Sequence, residues 1–244
     1  MNGLEVNLRS VQERIAAAAA RAGRDPAGIT LVAVTKSRSP ATIRAAYELG
    51  LRCFGENRVE EAETKVPELP AEIAWHMIGH IQSRKANRVA QIFEMVHSVD
   101  GVKLARRLDA ACEGRPRPLP ILLECNVSGE EAKYGFQADR WERDDVQRRA
   151  LWAAIEEIVA LPNLQLQGLM TMAPIVAEPE QARPVFSCLR RLRDELAAAF
   201  VQVGWRQLSM GMTDDFEVAV EEGATLVRVG RAIFDPDQPA TCKI

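Results

Sequence analysis

The chain has 244 residues, of which 47% are hydrophobic and 27% charged, and its formal net charge is −3. This composition is ordinary for a globular protein, and the length suffices for one large domain or two small ones. The charge balance favours neither nucleic acid nor an anionic membrane as a partner, and no apolar run is long enough to span a membrane.

Five scattered cysteines, none of them in a CxxC pair, predict a reducing compartment and argue against a disulfide framework or a zinc site. They are Cys53, Cys112, Cys125, Cys188 and Cys242. The N-terminal alanine run is flanked by arginines and is typical of a helix rather than of a signal peptide. We therefore expect a cytoplasmic protein.

Short apolar runs alternate with amphipathic segments from one end of the chain to the other, beginning with a helix predicted over 8–22. Strands are predicted at 30–35, 52–54, 75–78, 95–99, 121–126, 166–171, 207–209 and 225–229. Helices are predicted from 39, after 57 through 66, and at 83–92, 100–112, 146–161, 179–199 and 214–222, with a polar loop at 128–144.

Eight strand–helix repeats in a chain of this length predict an α/β protein, a single (β/α)8 TIM barrel that occupies residues 1–244. The helices between the strands require the strands to be parallel. The alternative is an open doubly wound sheet, which usually carries a GxGxxG turn after its first strand, where this chain reads TKSRSP. No full helix follows the eighth strand, so we expect the N-terminal helix to cover that gap.

Polar residues collect where the predicted strands end, which is the face on which TIM barrels carry their active sites. A single asparagine or serine at such a position is usually a helix cap or turn residue, so the convergence is what indicates a site. The residues at these strand ends, polar and apolar together, are Lys36, Asn57, His80, Ser98, Asp100, Asn126, Met170, Met172, 209–213, Arg228 and Gly230.

Two of these strand ends predict a phosphate site. The seventh strand is followed by SMGMTDD, which enters a helix, and the eighth by the glycine turn VRVGRA. Glycine lets backbone amides approach a ligand, and a helix N-terminus offers free N–H groups. TIM barrels frequently bind phosphate with these two loops.

Lys36 ends the first strand, and Arg228 lies in the eighth, its neighbour in a closed barrel. Residues 32, 34 and 36 share one face, as do 226, 228 and 230, so we expect the two cations side by side at the mouth. That arrangement suits an anionic ligand or a lysine that must lose its proton. The alternative is that each side chain turns to solvent or pairs with a carboxylate.

The histidines give weak signals. His76 and His80 are four apart on a predicted strand, so they do not form a helical HExxH zinc pair, and we expect no metal site. His97 is expected to be packed within the fourth strand. The methionines of GLMTM and SMGM are typical of core or pocket lining.

The segments AVTK, FGENR, WHMIGHIQSRK, GLMTM, LSMGMTDD and VRVGRAIF occur in order over nearly the whole chain. Together they resemble the pyridoxal phosphate homeostasis protein family, which is similar to the N-terminal, fold-type III barrel of alanine racemase. The resemblance implies that Lys36 forms a Schiff base with pyridoxal 5′-phosphate (PLP) and that Arg228 faces the pyridine nitrogen. It implies further cofactor contacts from Asn57, His80, Met170, Met172, Ser209, Gly211, Met212, Thr213, Gly230 and Arg231.

The chain departs from that family's pattern at four positions. Arg84, Thr213, Arg231 and Asp235 stand where we expect Asn, Ser, Thr and Gly. Thr213 keeps a hydroxyl, whereas residue 231 keeps only its backbone N–H as a certain phosphate donor.

The same resemblance predicts cofactor binding without catalysis. Arg228 has donors and no acceptor, so it leaves the pyridine nitrogen unprotonated and the ring a poor electron sink. A racemase also needs an acid or base on each face of the substrate carbon, which alanine racemase takes from a C-terminal β-domain of its partner subunit. We expect no such domain here, and of the two tyrosines only Tyr134 falls in a loop at the mouth, Tyr47 being helical.

We therefore expect a cytoplasmic, monomeric PLP-binding protein without catalytic residues that serves vitamin B6 homeostasis and passes PLP to PLP-dependent apo-enzymes. The alternatives are a small PLP-dependent amino-acid racemase and a Schiff-base aldolase that uses Lys36 on a phosphorylated sugar. Lys133, in the polar loop after the fifth strand, either relays the cofactor by transimination or pairs with Glu130 or Glu131 at the surface.

Overall fold

The protein is described by a computed structural model over residues 3–235, in which eight parallel strands close into a TIM barrel. Each strand pairs with the next along the chain, and β8 returns to pair with β1. The strands are β1 (Thr30–Val34), β2 (Cys53–Glu56), β3 (Ala74–Met77), β4 (Met95–Val99), β5 (Leu119–Asn126), β6 (Leu164–Met170), β7 (Gln207–Ser209) and β8 (Leu226–Val229). The predicted barrel is confirmed and the open doubly wound sheet is wrong.

Helices surround the barrel and follow the predicted order. They are α1 (Gly3–Arg21), α2 (Pro40–Glu48), α3 (Val59–Lys65), α4 (Ala86–Ile92), α5 (Val102–Ala111), α6 (Asp145–Val159), α7 (Arg183–Ala199), α8 (Phe216–Glu221) and α9 (Arg231–Phe234). Two helices predicted as continuous begin instead with 3-10 turns, Ser83–Lys85 before α4 and Pro179–Ala182 before α7. The predicted loop at 128–144 contains a two-residue strand, Phe136–Gln137, parallel to β5.

The core has two parts because a barrel strand shows one face to the helices and the other to the barrel interior. The larger part lies between strands and helices; α5, for example, buries Leu104, Ala105 and Leu108 on one face. The smaller part fills the interior. Its buried members are Val32, Met95, Leu122, Met170 and Leu226, with Cys53 and Met172 packed against them.

The N-terminal helix α1 covers the barrel beside β8, which is followed within residues 3–235 only by the four-residue helix α9. It buries Leu8, Val11 and Ile15, which share one helical face, and it packs against α8 and α9. Arg14 forms an ion pair with Glu217 of α8 at 3.0 Å. The expectation that α1 covers this gap is confirmed.

No helix within residues 3–235 is long and apolar enough to cross a membrane. The four cysteines in that range are free thiols, and Cys242 lies outside it. The assignment of 1–244 to one domain stays a prediction.

If α1 is an integral wall of the barrel, shortening its buried face must cost stability. Ile15→Ala removes apolar atoms from a side chain that is 6% exposed and should lower the free energy of unfolding by about 2–5 kcal/mol. Val6→Ala on the same helix, at a side chain that is 48% exposed, is the control and should change it by less than about 0.5 kcal/mol. Urea unfolding of both variants measures this, and equal small effects would contradict the role of α1.

Candidate functional site

Lys36 stands two residues beyond the end of β1, at the rim formed by the carboxyl ends of the strands. It has the same strand parity as Val32, which belongs to the interior cluster, so its backbone position faces the barrel mouth. The side chain is exposed and has no hydrogen bond or ion pair with any residue in the described part of the chain. Its amine is therefore available for chemistry.

Arg228 lies deeper in the barrel than the sequence predicts. The register of β1 and β8 places it beside Val32, so Lys36 is four residues further along, and the side-by-side arrangement is wrong. The guanidinium is buried and donates to Ser209 Oγ at 2.5 Å and to the Thr171 carbonyl at 2.9 Å. Burial lowers the pKa of Arg228 to about 10, which leaves the group charged at neutral pH.

The two glycine turns lie next to each other. The Arg228 N–H donates to the Gly211 carbonyl at 3.0 Å, which ties the turn after β7 to β8. Gly211 has φ +91°, and a Cβ there would stand 2.6 Å from Ala219 Cβ, so the turn requires glycine. A Cβ on Gly230 would stand 3.2 Å from the Val34 backbone oxygen. Val34 directly precedes residues 35–37, which we call the Lys36 segment.

The other residues predicted to contact phosphate differ in their burial and in their hydrogen-bond partners. Ser209 is fully buried, and its hydroxyl is hydrogen-bonded to His97 Nδ1 at 2.8 Å as well as to Arg228. The Met212 N–H donates to Asp215 Oδ1 at 2.6 Å, and the Thr213 side chain is buried. Phosphate contacts from residues 209, 211–213, 230 and 231 stay predictions.

Of the four residues that depart from the family pattern, three lie at the surface. Arg84 is exposed in the 3-10 turn Ser83–Lys85 and bonds Gln82. The guanidinium of Arg231 pairs with Asp214, and Asp235 pairs with Arg38. The Arg231 side chain is thus engaged by a carboxylate.

The residues predicted to line the ring surround the same mouth. Met170 is part of the interior cluster, Met172 packs against it, and Asn57 is half-buried after β2. His80 is exposed; its Nδ1 lies 3.0 Å from Asp100 Oδ2, and its ring stacks on Tyr134 at 3.9 Å between centroids. Tyr134 thus covers one edge of the mouth from the loop after β5.

A buried histidine pair was missed by the sequence reasoning. His76 Nδ1 lies 2.9 Å from His97 Nε2, and the chain of contacts continues from His97 through Ser209 to Arg228. Burial lowers the pKa of His76 to about 4 and that of His97 well below its ordinary value, so both rings are neutral at pH 7. The sequence could have revealed this pair, because alternate residues of a strand face the same side. His76 and His97 both fall at inward-facing positions of the adjacent strands β3 and β4.

Glu124 is a second interior group that the sequence reasoning did not single out. It shares strand parity with Leu122 of the interior cluster and is only 4% exposed. Burial raises the pKa of its carboxyl to about 7, with a further contribution from Asp100. In the sequence, Glu124 could have been recognised as a charged residue inside an otherwise apolar strand.

Lys133 is engaged at the surface of the mouth. Its ammonium pairs with Glu130 and donates to the Met172 carbonyl at 2.9 Å and to Ser128 Oγ at 3.2 Å. This arrangement favours the surface pair over the relay.

Comparison with known proteins identifies the family. The family model for the alanine racemase N-terminal domain matches residues 6–237. The pyridoxal phosphate homeostasis protein of Pseudomonas aeruginosa is 42% identical over 235 residues, which cover 96% of either chain. The protein of that name from Escherichia coli K12 is 38% identical, over 96% of this chain and 97% of the relative. This chain belongs to the pyridoxal phosphate homeostasis protein family.

Solved structures agree with that membership. PipY of Synechococcus elongatus, determined with PLP bound, is 34% identical, with a TM-score of 0.75 over 92% of this chain and 99% of that one. Alanine racemase of Clostridium difficile is 12% identical, with a TM-score of 0.69 over 96% of this chain and 59% of that one, and shows the fold alone. Residues 3–235 hold no cluster of three or more potential metal ligands.

The raised pKa of Glu124 predicts that the free energy of unfolding depends on pH. An ordinary carboxyl titrates at 4.5 and this one at about 7, so the unfolded chain releases its proton first as the pH rises. Stability contributed by the neutral form is therefore present below pH 4.5 and lost as the pH rises through 7.

The side chain of Glu124→Gln does not titrate. Across that pH range the free energy of unfolding of the wild type should therefore fall by up to ~3 kcal/mol relative to that of the variant. Urea unfolding of both proteins between about pH 4 and 8 measures the difference. Parallel stability curves would show that folding leaves the pKa of Glu124 unchanged and would contradict this prediction.

Proposed function

We propose that this chain binds PLP as a Schiff base on Lys36 and serves PLP homeostasis, without enzymatic turnover. The observation that carries the proposal is a lysine amine at the barrel mouth that pairs with none of the described residues, close to two joined glycine turns. The family membership and the PLP-bound structure of PipY support the choice of cofactor.

The residues at the mouth fit the parts of this cofactor. The Lys36 amine would form a C=N bond with the aldehyde carbon, whose oxygen leaves as water with the two amine protons. The turns at Gly211 and Gly230 lead into α8 and α9; the Phe216 N–H of α8 already donates to the Met212 carbonyl, whereas the Arg231 and Ala232 N–H groups of α9 have no carbonyl acceptor among the described residues. Met170 and Met172 offer apolar surface to a ring.

Arg228 supports binding without turnover. PLP supplies an electron sink when its ring nitrogen is protonated. A charged guanidinium donates hydrogen bonds and accepts none, so Arg228 facing that nitrogen would keep it unprotonated. Its two bonds to Ser209 and Thr171 hold the guanidinium inside the barrel.

The racemase alternative is not favoured. The relatives named above are homeostasis proteins, and the likeness to alanine racemase is one of fold. Tyr134, the tyrosine nearest the mouth, is 55% exposed and stacked on His80. We propose that alanine and serine are not racemised.

The remaining parts of the proposal concern the protein's surroundings. We propose that it acts in the cytoplasm as a monomer and that PLP-dependent apo-enzymes accept its cofactor. The exposure of Lys36 and the rim position of the site support such transfer, because an acceptor can reach the mouth without unfolding the barrel.

A visible-absorption titration tests the proposal. Wild-type protein should develop a Schiff-base band on addition of PLP, and Lys36→Ala should not, because the only proposed attachment point is gone. Lys103→Ala on α5 is the lysine control and should behave as wild type. Pyridoxal without phosphate should bind far more weakly, since it cannot use the two turns.

An unchanged band in Lys36→Ala would overturn the attachment site. Equal affinity for pyridoxal and PLP would overturn the phosphate site.

A further inference from the structure

A buried ion cluster lies directly behind the Lys36 segment. Lys65, near the end of α3, has a side chain only 9% exposed, yet its ammonium contacts Glu56 Oε1 at 2.8 Å and Glu61 Oε2 at 3.0 Å. Its third hydrogen bond goes to the Thr35 carbonyl at 2.9 Å. All three N–H donors of the ammonium are therefore used.

The cluster holds the backbone on both sides of Lys36. On one side, Thr35 Oγ1 donates to Glu56 Oε1 at 2.6 Å, and the Thr35 carbonyl accepts from Lys65. On the other side, the Ser37 N–H donates to Glu61 Oε2 at 2.8 Å. Thus residues 35 and 37 are fixed, while the Lys36 side chain between them is exposed and bonds to no other residue in 3–235.

The Lys36 segment needs such support because its backbone takes an unfavourable conformation at Ser37. Ser37 has φ +59°, and it is the one non-glycine residue in 3–235 with a positive φ. An L-residue is disfavoured there, so the turn after Lys36 persists only where its surroundings determine it. The bond from Ser37 to Glu61 is one such determinant, and it lowers the pKa of Glu61.

Stability alone is a poor explanation for the cluster. A buried ion pair gains little over well-packed apolar side chains, because both charges lose their hydration. Glu56 is fully buried and its Oε2 has no hydrogen-bond partner among the described residues, which is an uncompensated polar group. What this arrangement provides, and apolar packing does not, is directed hydrogen bonds to residues 35 and 37.

We propose that Lys65, Glu56 and Glu61 are positioning residues that fix Lys36 in the orientation needed to attach the cofactor. The inference rests on the proposed function, in which Lys36 is the attachment point. It adds an assignment for three residues that do not line the mouth themselves.

The sharpest test uses two adjacent acids at the start of α3. Glu61→Ala removes the acceptor for the Ser37 N–H, and it leaves Lys65 paired with Glu56, so no buried charge is abandoned. Glu60→Ala is the matched control, because Glu60 pairs with Lys85 and Arg88 and not with the Lys36 segment. Glu61→Gln keeps an amide oxygen that can accept the same bond and is the rescue variant.

Two measurements separate positioning from stability. The first is the fraction of Lys36 that carries a pyridoxyl group after borohydride reduction at a fixed, subsaturating PLP concentration, read by peptide mapping. The second is the amide exchange rate of the peptide containing Ser37 in protein without PLP. Both are made well below the unfolding midpoint of each variant.

Glu61→Ala should lower Lys36 labelling about tenfold, because small misplacements of a reacting group reduce its reactivity steeply. It should also speed exchange at Ser37, whereas Glu61→Gln should recover most of the labelling and Glu60→Ala should match wild type. The double variant Lys65→Met with Glu56→Gln replaces the buried charges by neutral side chains of similar size and should also lose labelling.

Wild-type labelling in Glu61→Ala or in the double variant would overturn the positioning role. Absence of label on Lys36 in wild type would overturn the proposed function instead. In that case the exchange rate at Ser37 still decides whether Glu61 holds the segment.

Discussion

The closure of eight parallel strands determines where the chemistry of this protein can take place. In a closed parallel barrel every strand points the same way, so all carboxyl ends meet at one rim. Lys36 from β1 and the glycine turns after β7 and β8 are therefore brought together although they are nearly two hundred residues apart in sequence. The pairing of β8 with β1 is what completes this arrangement, and α1 protects it from outside.

The barrel interior beneath the rim is unusual in its polarity. Arg228, Ser209 and the two histidines form a continuous buried chain, and Glu124 lies in the same interior with a raised pKa. Such a chain has few alternative arrangements, since each member would otherwise be an unpaired buried group. It gives the guanidinium a fixed place inside the barrel.

The sequence predicted the features that depend on local pattern. Strand order, the TIM barrel and the glycine turns at 211 and 230 follow from periodicity and from turn chemistry, and Lys36 follows from its place after a buried strand. The depth of Arg228 did not follow, because it depends on the register between β1 and β8. Neither did the contact of His76 with His97, nor that of Lys65 with Thr35, since each joins residues more than twenty positions apart through side-chain geometry.

The central claim is that Lys36 carries the cofactor, with its phosphate at the joined turns. A crystal structure of the protein grown with PLP tests this most directly. We expect continuous electron density from Lys36 Nζ to the ring, with the phosphate against the backbone of Gly211 and Gly230. Density joined to another lysine, or a phosphate bound away from these turns, would contradict it.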